Sequence, residues 1–173
     1  VEPGNSEFAA GQEVIVTGYD LGMNTDGGFA EYIRVPASWA VRKPDNLSLK
    51  ESMIIGTSGF TAASAIYEFI NHGILPGDGK VLVTGASGAV GSMAVAMLAK
   101  AGYEVVASSG KPEFAGMLME SGATEIIGRD AIDDKSGKGL LPPRWVAALD
   151  TVGGNTLSTV LLSTAERGIV ANC

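Results

Sequence analysis

The sequence is short of the residues that build covalent and metal frameworks: of 173 residues, one is cysteine (Cys173) and one is histidine (His72). A disulfide framework and a zinc cage of Cys and His drawn from this chain are thereby excluded, since each needs several such groups. Charge is also scarce, at 18% of residues, and its balance is acidic: 12 Lys and Arg against 19 Asp and Glu give 12 − 19 = −7. With no block of Lys or Arg, no nucleic-acid partner is expected, because neutralising phosphates takes clustered positive charge. No apolar run approaches the roughly 20 residues a helix needs to cross a bilayer, and no charged-then-apolar leader opens the chain. No membrane partner is therefore expected, and the expected setting is a soluble, cytoplasmic protein. Hydrophobic residues, by contrast, reach 46%, enough for a core and against disorder. The length suits one domain, or one domain with a piece of another. Val1 at the start and a final strand-like Gly168-Ile-Val-Ala-Asn-Cys173 suggest a piece of a longer chain.

Up to about residue 47, Gly, Pro, Asn and Asp punctuate short β-type runs at Glu13–Thr17, Phe29–Val35 and Trp39–Arg42, which predict small antiparallel strands. At Ser48 the pattern changes. Ser48-Leu-Lys-Glu51 fits a capping box, and a second helix is expected from about Phe60 to Ile70, ending near Asn71-His72-Gly73. Beyond the turn at Pro76–Gly79, apolar runs at Val81–Thr84, Glu104–Ala107, Glu125–Ile127, Val146–Asp150 and Gly168–Ala171 alternate with helical patterns at Gly88–Ala101, Pro112–Ser121 and about Asn155–Thr164. The runs lack polar alternation, as strands covered on both faces do. Gly102 and Gly122 fall where helix C-caps want positive φ. Repeated βα winding predicts an α/β fold with a Rossmann-type doubly wound parallel sheet, and 128–143 reads as a polar surface loop.

The sharpest signal is Val81-Leu-Val-Thr-Gly85-Ala-Ser-Gly88-Ala-Val-Gly91, a buried strand followed at once by glycines spaced by three and then a helix. In a dinucleotide fingerprint the turn must be tight, Gly88 must let a pyrophosphate approach the backbone, and Gly91 must let the helix press on the sheet. Amides at the helix start then receive the diphosphate. The same small residues also suit a plain βα turn that serves packing alone. A P-loop is excluded: the Gly-Lys pairs at Gly79, Gly110 and Gly137 are followed by Val81, Pro112 and Gly139 rather than Ser or Thr. The short-chain dehydrogenase pattern fails too, with Ala89 in place of its middle Gly and no Tyr followed four places on by Lys.

About twenty residues past Gly88, an NAD enzyme would place Asp or Glu against the adenosine ribose. Here the sequence is Ala107-Ser108-Ser109-Gly110-Lys111. Two hydroxyls, a flexible Gly and a Lys suit a 2′-phosphate, with Arg129 past the third strand in reach of it. Charge-assisted bonds contribute about 1.5–3 kcal/mol each, so one or two give about tenfold to a thousandfold preference. The expected cofactor is NADP(H). Ordinary solvated charge at loop ends is the alternative for Lys111 and Arg129.

Five ordered blocks, Asp26-Gly-Gly-Phe-Ala-Glu-Tyr32, Gly56-Thr-Ser-Gly-Phe-Thr-Ala62, Val81–Gly91, Val105-Val-Ala-Ser-Ser-Gly-Lys111 and Asp150-Thr-Val-Gly-Gly154, resemble the medium-chain dehydrogenase/reductase superfamily. More narrowly they resemble its zinc-independent quinone oxidoreductase branch, which includes acrylyl-CoA reductases. The resemblance implies residues 1–47 as the tail of a GroES-like substrate domain and 48–173 as an NADP-binding Rossmann domain cut after its fifth strand. It implies hydride transfer from NADPH to a small-molecule quinone or enoyl substrate, no metal, and a homodimer in the full-length protein, while naming no catalytic residue here. It places the diphosphate on Ser87, Gly88, Ala89 and Val90, beside Gly85 and Gly91, and the 2′-phosphate on Ser108, Ser109, Gly110 and Arg129. Ala89 departs from the Gly common there. Thr57 and Thr61 would line the active cleft, with interdomain packing as the alternative. Val152, in the turn after the fourth strand, would lie by the nicotinamide ribose, with a plain tight turn as the alternative. His72 is expected to cap a helix, Asn24 and Thr25 to serve a loop, and Trp39 and Trp145 to pack. Two other classes stay open: an NADP(H)-binding regulatory protein without turnover, and a Rossmann domain for S-adenosylmethionine. The latter usually needs an acid where Ser108 and Ser109 stand.

Overall fold

Val14-Ile15-Val16 is a run of β-branched residues, stiff at χ1 and suited to a pleated ladder. It forms β1 (Val14–Val16), which pairs antiparallel with β2 (Ala40–Arg42), Ile15 opposite Val41. A computed structural model describes residues 7–173, so the first six residues of the expected 1–47 segment lie outside the described residues. The chain divides into two compact units, Val1–Thr57 and Ser58–Cys173, a later break than the one drawn from the sequence. In the first unit the strand expected at Phe29–Val35 is irregular backbone, with Phe29 and Tyr32 exposed. An apolar run becomes a strand only where a neighbour takes its backbone groups, and among the described residues β1 and β2 pair with each other.

The capping box forms as expected. The Glu51 amide donates to Ser48 Oγ at 3.1 Å while the Ser48 amide donates to Glu51 Oε2 at 2.8 Å. Helix α1 (Leu49–Asn71) follows, broken at Gly56, whose backbone (φ 42°, ψ −147°) is not helical. The two helices read from the sequence thus meet at this glycine. Ser48→Ala is expected to cost about 1 kcal/mol in denaturant unfolding. The Ser48 hydroxyl, then its amide, holds the Glu51 carboxyl below its ordinary value of 4.5. That contribution is whole above pH 4.5 and is lost as the pH falls through the lower folded value.

At 23 residues with a mean hydropathy of 1.2 over its best window, α1 is long and apolar enough by length and composition to cross a membrane. This corrects the reading that no such run exists, which counted only uninterrupted apolar stretches. Ala62, Ala65, Ile66 and Phe69, spaced as one helical face, are buried in the core, while Met53, Ile54, Phe60, Tyr67 and Ile70 of the same helix are exposed.

From Lys80 the order is β3 (Lys80–Val83), α2 (Ala89–Lys100), β4 (Glu104–Ser108), α3 (Ala115–Glu120), β5 (Glu125–Ile127), β6 (Trp145–Asp150), α4 (Gly154–Leu162) and β7 (Thr164–Asn172). The five strands form one parallel sheet in the order β5-β4-β3-β6-β7. Successive side chains go to opposite faces. Val81, Val83, Val105 and Leu149 join one apolar cluster, while Leu82, Val106 and Ala148 join the other. Both faces being covered, the strands read as unbroken apolar runs. Gly102 (φ 91°) and Gly122 (φ 101°) adopt the backbone their helix ends require.

Three readings need correction. Pro112–Phe114 is a 3-10 turn, so α3 is shorter than expected. The segment 128–143 is not wholly surface loop: Ile132, closing a 3-10 turn over Arg129–Ile132, is buried in the second cluster. Its polar, Gly-rich neighbours hid one apolar anchor. The His72 ring does not cap α1; its Nε2 lies 3.1 Å from the Arg167 carbonyl in β7. Arg167 has φ 62°, and there the pairing of β6 with β7 jumps from Trp145–Thr164 to Ala147–Ile169.

Candidate functional site

The sheet runs outward from β3 to β4 and β5, then returns to β6 on the other side of β3. Crevices open at the carboxyl ends of strands where the winding reverses in this way. The glycine loop lies at that point. Gly85 has φ 56°, and a Cβ there would lie 2.2 Å from Thr151 Oγ1. At Gly91 a Cβ would meet the Gly85 carbonyl oxygen at 2.4 Å and Ala86 Cα at 2.7 Å, so α2 is pressed onto the turn. Gly88 is different. Its φ of −82° is open to any residue, it is exposed, and a Cβ would approach the Gly85 oxygen at a tight 3.2 Å. Its amide closes the turn by donating to the Gly85 carbonyl at 2.8 Å. The helical ladder starts with the Ser92 amide on the Gly88 carbonyl at 2.9 Å, and no side chain caps the helix. The amides of Ala89 and Val90 therefore precede the ladder, at the positive end of the helix dipole.

The loop after β4 meets this turn. Ser108 is buried, and its carbonyl accepts the Ala86 amide at 3.0 Å. The Ser109 hydroxyl donates to Ser87 Oγ at 3.0 Å and accepts the Lys111 amide at 3.1 Å. Arg129 crosses directly over Gly110: a Cβ on that glycine would lie 2.3 Å from Arg129 Nε and 2.7 Å from its Cζ. Three strand ends thus bring Ser87, Ser109, Gly110 and Arg129 together. Lys111 stands on the same loop, but its ammonium is drawn to the Phe114 ring, 5.5 Å from the centroid.

The remaining candidates are more scattered. Val152 is exposed, with Cγ2 3.4 Å from a Cβ placed on Gly85. Thr57 and Thr61 lie one helical turn apart on α1 past Gly56, Thr57 exposed and Thr61 half-buried. Asn24 and Thr25 hydrogen-bond Asp20 within their own turn, at 3.1 and 3.0 Å. Trp39 stacks on Tyr19, and buried Trp145 donates to Ser163 Oγ at 3.0 Å. A cleft of about 360 Å³ is bounded by Asp130, Asp133, Lys135 and Arg144, in the segment between β5 and β6.

The sequence reading singled out the segment 150–154 but missed the carboxylate that opens it. Asp150 is fully buried and accepts bonds from the Thr84 hydroxyl (2.6 Å), the Gly153 amide (2.7 Å) and the Asn172 side-chain amide (3.1 Å). An acid closing the apolar run Trp145–Leu149 was the one signal available.

No family model matches the chain. It is 47% identical over 171 residues to a protein named as a quinone oxidoreductase, YhfP of Bacillus subtilis, covering 99% of this chain and 52% of that one. It is 43% identical to the acrylyl-CoA reductase AcuI of Ruegeria pomeroyi, covering 91% and 48%. The crystal structure of YhfP with NAD bound superposes with a TM-score of 0.93 at 48% identity, over 98% of this chain and 52% of that one. That of the YhdH oxidoreductase from Salmonella enterica in complex with NADP does so at 0.91 and 46%, over 96% and 51%. The chain belongs to the medium-chain dehydrogenase/reductase superfamily. It spans about half the length of the curated relatives it matches. Its parallel sheet is the Rossmann sheet of the medium-chain dehydrogenase/reductase fold, as the winding of its sequence predicts.

Proposed function

We propose that this chain is the NADP(H)-binding part of an NADPH-dependent oxidoreductase of the zinc-independent medium-chain type, acting on a quinone or on an α,β-unsaturated carbonyl or enoyl thioester such as acrylyl-CoA. In this reading residues 1–47 are the tail of a GroES-like substrate domain, 48–173 belong to the Rossmann domain, and the full-length protein is a homodimer. The observation that carries the cofactor assignment is Arg129 laid across Gly110, next to the linked hydroxyls of Ser87 and Ser109. One relative was crystallised with NAD, so the preference for NADP(H) rests on these residues, where an NAD site wants a carboxylate.

Each part of the site then has a task. Gly85 and Gly91 shape the turn, and Gly88 leaves its surface clear for a pyrophosphate. Ser87, Gly88, Ala89 and Val90 line that pyrophosphate, with the Ala89 and Val90 amides facing it. Ser108, Ser109, Gly110 and Arg129 surround the 2′-phosphate, with Lys111 adding positive charge near it. Val152, Thr57 and Thr61 belong to the nicotinamide side. The chemistry supplied by a bound nicotinamide is hydride donation, and the protein's part is to align it with an electron-poor carbon.

Titrating the full-length protein with NADPH and NADH tests the reading. NADPH is expected to bind at least about tenfold tighter, the worth of one charge-assisted contact. NADPH oxidation should then follow with a quinone or an enoyl thioester. Equal affinities would refute the assignment of the β4 loop, and tight binding with no turnover on either substrate class would favour a regulatory role.

A further inference from the structure

Asp150 has no exposed surface, and none of the ion pairs among the described residues includes it. A buried carboxylate is costly unless donors surround it. Here they come from three separate elements: Thr84 at the end of β3, Gly153 in the turn before α4, and Asn172 at the end of β7. Thr84 passes the constraint on. Its Oγ1 accepts the Thr151 amide at 3.0 Å, while the Thr151 hydroxyl donates to the Thr84 carbonyl at 3.0 Å. That same Thr151 oxygen is the atom that leaves no room for a side chain on Gly85. The turn after β6 and the end of β3 that leads into the glycine loop are therefore latched to each other by the paired Thr84–Thr151 bonds, with the Asp150 carboxylate holding Thr84 and Gly153 in place.

We infer that Asp150 is a positioning residue: it locks the turn Thr151–Gly154 against the end of β3 and so fixes the wall on which the nicotinamide half of the coenzyme rests. The inference deepens the proposed function and rests on its cofactor reading. The position needs a group that only accepts. Both oxygens receive donors, and an Asn there would turn an N–H₂ toward one of them. Gly153 cannot compensate easily, because its amide is carried by a backbone at φ 75° within the turn. The adenine half lies elsewhere, against the β4 loop and Arg129, and does not depend on this latch.

Two ligands separate positioning from mere stability: NADPH, which spans both halves, and 2′,5′-ADP, which lacks the nicotinamide half. In the full-length protein, Asp150→Asn and Thr84→Val are expected to weaken NADPH about tenfold while leaving 2′,5′-ADP within about twofold of the unmodified protein, and Thr84→Ser, which keeps the hydroxyl, should restore NADPH binding. Should Asp150→Asn fail to fold, Asn172→Ala, which removes an exposed donor, should give the same selective loss in weaker form. A parallel loss of both ligands, or unchanged NADPH affinity, would overturn the inference. Failure of the unmodified protein to bind 2′,5′-ADP at all would instead overturn the cofactor reading beneath it.

Discussion

Gly91→Ala is expected to destabilise the protein by about 3 kcal/mol or more, the upper range for overpacking a core site, and to lower its melting temperature by about 6–12 °C. The new methyl would lie 2.4 Å from one backbone atom and 2.7 Å from another. Neither can rotate aside as a flexible side chain would, so α2 must lift off the turn. Gly88→Ala, three residues earlier, should do the reverse. Its backbone accepts alanine and its closest contact is 3.2 Å, so the fold should hold, but the methyl would stand where the proposed site brings the pyrophosphate down. NADPH affinity should fall about tenfold with little change in melting temperature. Thermal unfolding and NADPH titration of both variants check the pair together. Two variants that behave alike would refute the distinction between a glycine that packs and one that clears a path.

Arg129→Ala should reduce NADPH affinity by about tenfold to a hundredfold and leave NADH nearly unchanged, as expected for one charge-assisted contact to a phosphate that only NADPH carries. Lys111→Ala should act in the same direction but more weakly. Its ammonium is exposed and engaged with Phe114, whereas the Arg129 guanidinium already lies over Gly110. Raising the salt should shrink both effects, because exposed charges are screened within a few ångströms at high ionic strength. Equal losses for the two coenzymes on replacing Arg129 would dismiss its assigned role.

These expectations differ in how much of their basis the sequence displayed. The buried strands, the glycine fingerprint and the missing acid after β4 were legible because they are local: a few adjacent residues carry the whole signal. The capping box at Ser48 was legible for the same reason. Phe29–Val35 has the composition of a strand without forming one, because strand formation depends on a partner that local composition does not reveal. The burial of Ile132 leaves no mark in the sequence, because a single apolar residue in a polar stretch has no period. The Asp150 network joins residues 66 and 22 positions apart, and no pattern within one stretch foretells such a meeting. The approach of Arg129 to Gly110 lay between these cases. Its charge was visible, but contact with that particular glycine required parallel strands in the observed register.

The border of the parallel sheet at β5 is a poor template for uncontrolled growth. β5 is only three residues long. A border that short gives another chain few consecutive main-chain groups to dock on. Stacking of one copy on the next into fibres is thus discouraged at that flank by length alone.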